Sequence, residues 1–422
     1  MKKKNLIFVM LAFAIGVNAQ TLDECQRAAE QNYPLIRQYD LIATITAMTV
    51  KNVGKGWLPQ IAASAQATYH SDVAAWPESM YGMFEKMGLD VKGLKKDQYR
   101  VGLDLQQIIY DGGAISSQKN IAREQGNVLS AQNEVNMYNV RKRVNDMYFA
   151  LLLFDEQITL NDDVQELLMS SERQLTSMVK MGTAATSDLD NVKAERLNAM
   201  QQNKSMKSQR NTLRQMLSIF CGIEMNSPVK PNAVEVNYVQ NRPELRLFDA
   251  QKRLADAQEK ALNSQLMPKL GLFAQGYYGY PGLNMFDDMM RHEWSLNGIA
   301  GIKLSWNIGA LYTRSADKTK LRMQRDMADN AREVFLFNND MEQMQQNDDI
   351  VRYREMMKRD DEIITLRGNV RKAAESKLGH GIIDVTGLIR EINNENAAKV
   401  QKAIHEIDML REIYNLKFSV NE

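Results

Sequence analysis

The sequence predicts an α+β membrane protein, a duplicated chain of long antiparallel coiled-coil helices with four strands, too few alone to close a barrel. Three observations predict it. Landmarks recur in the same order in both halves: NYPLIR at 32–37 returns as NRPELR at 241–246, and KMGTAATSDL at 180–189 as KLGHGIIDV at 377–385. The 8 prolines fall at 34, 59, 77, 228, 231, 243, 268 and 281, so two long stretches carry no helix breaker of this kind. Short alternating runs outside those stretches are flanked by all 4 tryptophans.

Residues 1–19 read as an export signal. Lys2, Lys3 and Lys4 form a positive start, Leu6 to Val17 an apolar stretch, and Val17-Asn18-Ala19 a small-residue cleavage site before Gln20. That stretch is shorter than the about 20 residues a bilayer span needs, and so is the longest later apolar run, MYFALLLF at 147–154. A membrane location therefore requires a closed barrel, because lipid leaves no other way to satisfy backbone polar groups. The charge balance, 53 basic against 52 acidic residues, gives no basic excess for binding nucleic acid.

The first repeat spans 20–222. A helix over 35–56 leads through Pro59 into a β-hairpin over 58–110, whose clearest strand is RVGLDLQ. Val101, Leu103 and Leu105 fall on one face of it, and Arg100, Gly102, Asp104 and Gln106 on the other. Such alternation suits a strand of an outer-membrane barrel, and it equally suits a small soluble sheet with a one-sided core. IIYDGG then opens a long helix over 114–181, with Ile121, Val128 and Val135 at heptad spacing, until Gly182 interrupts it. A returning helix covers 186–221, and a proline-containing equatorial linker covers 223–242.

The second repeat, 243–422, keeps this order: a helix over 243–266, a β-hairpin over 268–307, a long helix over 310–378, and a returning helix over 384–418. Met356, Ile363 and Val370 carry the heptads, and Gly379-His380-Gly381 marks the turn. Each long helix comes to about 100 Å. The shorter helices, taken in pairs end to end, come to roughly 85–90 Å, so each long helix has a stacked pair to pack on. Trp57, Trp76, Trp294 and Trp306 lie in or beside the strands, which favours membrane-interface girdles over tryptophans of a helical core. Closure then needs further copies; three would supply twelve strands, although the residue pattern alone does not set that number.

With these residues on view, the chain resembles the TolC-like outer-membrane efflux family over essentially all of its length after residue 19. The resemblance rests on the ordered NYP and NRP helix starts, the WLPQI and LMPKL strand starts, the IIYDGG exit, VNDMYFALL within the long helix, and the two glycine turns. It implies a homotrimer forming one 12-stranded outer-membrane β-barrel continued by a periplasmic α-helical tunnel. The implied function is the outer-membrane channel of a tripartite efflux or type I secretion system. Such a channel is a passive conduit served by a periplasmic adaptor (membrane fusion) protein and an inner-membrane pump. The resemblance places the adaptor-docking tip at Met181, Gly182, Thr183, Leu378 and Gly379. It matches Asp384 to a pore-facing acid and Asp188 to an acid in the closing contacts between helices, with His380 as a titratable neighbour of the gate. The sequence departs from the family where Gly387 replaces a second pore acid. The closing tyrosine and arginine are also missing, with Ser376 and His380-Gly381 nearby. Both aspartates follow a turn and open a helix, so a capping role stands beside the pore role.

No enzyme, cofactor or metal centre is predicted. His70, His292, His380 and His405 are scattered, Cys25 and Cys221 form no CxxC, and no GxGxxG phosphate loop appears. The 26 methionines are spread along the helices as core-type residues. In an exported chain the two cysteines read either as a disulfide or as a pair of buried thiols. The competing reading of the whole is a periplasmic coiled-coil structural or tethering protein without a pore. It accounts for the heptads and for export, but not for duplicated, aromatic-flanked strands.

Overall fold

The computed structural model describes residues 20–226 and 228–421; the export signal read over 1–19 lies outside them. The chain runs α1 (Leu22–Asn32), α2 (Ile36–Gly54), β1 (Gln60–Tyr69), α3 (Glu78–Lys86), β2 (Asp97–Tyr110), α4 (Ala114–Lys180) and α5 (Thr186–Cys221). It continues with α6 (Pro243–Gln265), β3 (Lys269–Tyr280), α7 (Met285–Arg291), β4 (Ser295–Ser305), α8 (Ala310–Gly379) and α9 (Val385–Val420). Among the described residues no helix is long and apolar enough to cross a membrane. The start of the chain holds two helices where the sequence reading had one. Tyr33 takes an extended conformation (ψ 132°) because the ring of Pro34 excludes the helical one, and α1 stops there.

The chain divides into two compact units. One of them, Asp40–Ala131 with Leu247–Ala331, holds a four-stranded antiparallel sheet in the order β1-β2-β3-β4. The hairpin of each repeat contributes two strands, and the pairing of β2 with β3 joins the repeats. Register then sorts the residues by chemistry. Ile61, Leu105, Ala274 and Ala300 form one cross-strand row, and Ala65, Val101, Tyr278 and Leu296 another on the same face. The opposite face aligns Gln66, Arg100, Gly279 and Ser295, and there Gln275 donates a hydrogen bond to Asp104. The apolar face is open: Leu103 is 58% exposed, Ile302 69% and Leu296 82%. A soluble one-sided sheet buries such a face, so that alternative fails among the described residues.

The tryptophans divide between the two ends of this sheet. Trp57 precedes β1 and Trp306 follows β4, where its indole N–H donates to the Leu266 carbonyl at 2.9 Å. Trp294, at the other end, lies 6.0 Å from the Tyr99 ring and 5.4 Å from that of Tyr278. Trp76 belongs to the connecting loops. It packs on Phe84 of α3 at 5.2 Å and Phe286 of α7 at 5.5 Å, beside the buried Leu94, Tyr280 and Met289. Neither short helix was read from the sequence.

The other unit gathers the chain up to Tyr39, Gln132–Arg246, and the segment from Arg332 onward. Its larger core brings Leu22, Cys25 and Ala29 of α1 against Val144, Tyr148 and Phe149 of α4, Leu217 of α5, and Ile407 and Leu410 of α9. VNDMYFALL is thus the apolar centre of this unit. The Tyr148 hydroxyl lies 2.7 Å from the Gln20 carbonyl and 2.6 Å from that of Val229, which ties the linker after α5 to the start of the chain.

Candidate functional site

The residues that the resemblance assigns to a gate and a docking tip fall on two helical turns of the second unit, between α4 and α5 and between α8 and α9. Gly182 and Gly381 adopt left-handed φ angles of 71° and 72°. The Gly182 N–H donates to the Val179 carbonyl at 3.1 Å and that of Thr183 to Met178 at 2.9 Å. The Gly381 N–H donates to Leu378 at 3.0 Å and that of Ile382 to Lys377 at 2.9 Å. This is one helix stop built twice, a left-handed glycine that lets the last carbonyls find donors. The second turn therefore pivots on Gly381. Gly379, which the sequence pairs with Gly182, is the last residue of α8 and has no left-handed φ.

A Cβ at Gly182 or Gly381 would meet nothing within 4 Å, so a side chain there suffers only backbone strain. Gly182→Ala and Gly381→Ala should each destabilise by about 1–2 kcal/mol. Gly379→Ala should stabilise α8 by up to about 1 kcal/mol, since alanine is the better helix former. Thermal unfolding of the three variants checks this; an equal loss at Gly379 would contradict the assignment.

The acids next to the turns are not equivalent. Asp384 is the N-cap of α9 and its Oδ1 accepts the Gly387 N–H at 2.8 Å. Gly387, which stands where the family has a second acid, is thus the donor that holds Asp384. Asp188 lies three residues beyond the N-cap Ala185 of α5 and accepts that residue's N–H at 3.3 Å. His380 is exposed, with Nδ1 2.7 Å from the Ser376 carbonyl. Each of the three is held by its own turn, and among the described residues no hydrogen bond or ion pair joins one to another. Met181 and Ile382 stand open at the two turns, 69% and 68% exposed.

Behind the turns the four helices meet through Leu168, Leu175, Leu189, Val192, Leu388 and Ile392. Flanking this core, Glu172 of α4 accepts from Arg196 of α5 at 2.7 Å. On the other hairpin, Arg371 of α8 bonds Glu395 of α9, and Lys399 lies 3.0 Å from the same carboxylate. The offset that carries Gly182 to Gly381 carries Glu172 to Arg371 and Arg196 to Glu395. The two hairpins hold the same cross-link with the charges exchanged. Burial pushes the Glu395 carboxyl up, but hydrogen bonds from Arg371 and Lys399 outweigh it and hold its pKa below the usual 4.5. This pair was missed in the sequence, where the register of Gly182 with Gly379 carries Glu172 to Asn369; only the register through Gly381 finds it.

At the sheet end of α4, Asp111 is buried and caps the helix. Oδ1 accepts from the Gly113 N–H at 2.8 Å and Oδ2 from that of Ile115 at 2.5 Å. Gly112 and Gly113 both take left-handed φ, 69° and 86°. The second exit does without this: no residue from Trp306 to Gly309 has a left-handed φ, and the Ala310 N–H donates to the Asn307 carbonyl at 3.3 Å.

Residues 27–219 match the family model described as "Outer membrane efflux protein". No curated protein matches the chain. Among solved structures, the chain superposes on the outer-membrane channel OprN with a TM-score of 0.68 at 14% identity, over 94% of this chain and 89% of that one. It is similar to the Campylobacter jejuni CmeC outer membrane channel, with a TM-score of 0.67 at 13% identity over 94% and 85% of the two chains. The open state of the Neisseria gonorrhoeae MtrE outer membrane channel follows with 0.63 at 13% identity, over 94% and 88%. At these identities the likeness to solved structures is one of fold.

Proposed function

Because the chain belongs to the outer membrane efflux protein family, we propose that three copies close one twelve-stranded barrel and continue it as a helical tunnel. The protein is an outer-membrane efflux channel whose helical part lies in the periplasm. The observation that carries the trimer is the sheet, with its open apolar face and two unpaired edges, β1 and β4. In lipid, an unpaired edge leaves its N–H and C=O groups without partners. Pairing β4 of one copy with β1 of the next satisfies every edge, and at four strands per chain three copies reach twelve. Trp57 and Trp306 then mark the periplasmic boundary, Trp294 the outer one, and Trp76 packs the external loops. The same face counts against a poreless tether.

In this reading the channel is a passive conduit for cargo that an inner-membrane pump delivers through a periplasmic adaptor. The adaptor docks on the two turns, where Met181 and Ile382 supply apolar contact beside Gly182, Thr183, Leu378 and Gly379. Asp384 presents three carboxylates at the narrow end while capping α9, which draws cations. Asp188 steadies the neighbouring turn, and His380 stands exposed beside the other. The test is single-channel recording on purified protein whose mass in detergent is measured alongside. A trimer should conduct, and Asp384→Asn should lower cation selectivity and divalent block with trimers intact. A stable folded monomer sinks the trimer. Unchanged selectivity with a lower melting temperature makes Asp384 a cap and nothing more.

A further inference from the structure

The chain has 2 cysteines, and the fold brings both to one place. Cys25 in α1 is 0% exposed and Cys221, the last residue of α5, is 2% exposed, in a core shared with Leu22, Ala29, Tyr148 and Leu217. The Cys25 thiol lies 3.7 Å from Met225 Sδ, and Cys221 and Met225 share its buried core. Helices α1 and α5 are among the few helix pairs whose backbones come within 8 Å of each other, an approach that the small side chains of Cys25, Ala29 and Cys221 permit. The Asn32 amide then donates to the Ile219 carbonyl at 3.0 Å and to that of Phe220 at 3.3 Å, so α1 also closes the end of α5.

We propose that Cys25 and Cys221 are joined by a disulfide in the exported protein, stapling α1 to the end of the first repeat. The proposal rests on the outer-membrane location, since thiols of an exported chain meet disulfide oxidants that cytosolic chains do not. The structure carries the pair as thiols. Joining them is an exchange with a disulfide of a periplasmic thiol oxidant. Two S–H bonds break and one S–S bond forms, while two electrons and two protons pass to the oxidant, which leaves as a dithiol. Only one intramolecular pairing exists for two cysteines, so no reshuffling is needed.

Interaction with Cys221 and then burial push the Cys25 thiol above its ordinary range, the same interaction lowers that of Cys221, and burial shuts both sulfurs off from an oxidant once the core has closed. Exchange therefore precedes closure, while both segments are still reachable. The staple matters because α1 is the first described helix, and chain ends fray unless tied down. It also closes a loop of nearly the whole first repeat, which restricts the unfolded chain strongly. Cys25, Cys221 and Met225 form a soft sulfur set that a monovalent copper ion would also suit. The apolar shell of Leu22, Ala29 and Leu217 and the oxidising compartment favour the disulfide.

The full chain is recovered from isolated outer membranes, so its location is read separately from the bond. It is denatured in N-ethylmaleimide and chelator without reductant, and its intact mass is measured. The expected result is no label before reduction, two labels after it, and a non-reduced peptide that joins the Cys25 and Cys221 segments. Two labels without reductant overturn the proposal, and copper retained by the undenatured protein in that case makes the sulfurs a metal site. A disulfide between chains overturns it as well. Reductant should lower the melting temperature of the native sequence and leave that of Cys221→Ser unchanged; a native melt indifferent to reductant overturns the staple.

Discussion

Arg371→Glu is expected to destabilise the helical hairpin of α8 and α9 by about 3–5 kcal/mol, and adding Glu395→Arg to restore part of the loss, since Glu375 and Lys399 then each face a like charge. The side chains of Arg371 and Glu395 are 11% and 9% exposed, so the single change leaves a buried carboxylate facing a second one, with Glu375 close by. Lys399, at 3.0 Å, answers only part of that charge. The reversed pair is credible because the same protein already holds it: Glu172 and Arg196 occupy the corresponding positions of the first hairpin with the signs exchanged. There the partners are 20% and 30% exposed, and breaking their pair should cost about 1 kcal/mol or less. Denaturant unfolding of the two single variants and the double variant gives the coupling directly. A double variant no better than Arg371→Glu would show that the hairpins are not interchangeable. Acid supplies an independent reading. Glu395 has a folded-state pKa below its usual 4.5, so its stabilisation is present above that value and is lost as pH falls through the lower one. Glu395→Gln should remove that part of the acid sensitivity.

Long elements were legible because breakers mark their ends. The sequence places the long helices at 114–181 and 310–378, and the structure has Ala114–Lys180 and Ala310–Gly379. IIYDGG and Gly182 bracket the first, and absence of proline covers its length. Short elements were not legible. α1 directly follows the stretch read as an export signal, whose apolar residues obscure the weaker period of Leu22, Cys25 and Ala29, and α3 and α7 are short helices of 9 and 7 residues inside loops. At the site, the difficulty was one of conformation and sign. LGHG offers two glycines, and only φ tells that Gly381 makes the turn. Residue matching also passes over Glu172 and Arg371, because their charges are opposite although their positions correspond. The juxtaposition of Cys25 and Cys221 depends on how α1 docks, which spacing along the chain does not encode.

Gly112→Val is expected to prevent assembly in the outer membrane, because the turn from β2 into α4 fails in two ways at once. The residue has φ 69°, which a β-branched side chain avoids strongly. Its new Cβ would also lie 2.3 Å from the Met267 Cβ, with the Ser264 carbonyl at 3.3 Å. Relief by movement of Met267 is restricted, since Pro268 follows it and limits its backbone. The neighbouring glycine separates strain from collision: Gly113 has φ 86° but open space around it, so Gly113→Ala should cost only about 1–2 kcal/mol. At the second exit, Gly309 has no left-handed φ and its nearest neighbour, Asn307 Oδ1, is 3.5 Å away. Gly309→Ala should therefore assemble like the native sequence. The measurement is the amount of heat-modifiable oligomer in isolated outer membranes, with Gly112→Val near zero, Gly113→Ala reduced and Gly309→Ala unchanged. Normal assembly of Gly112→Val would mean that β2 reaches α4 by another path. An equal loss in all three variants would mean that glycine matters here for the flexibility of the chain, and not for the contact with Met267.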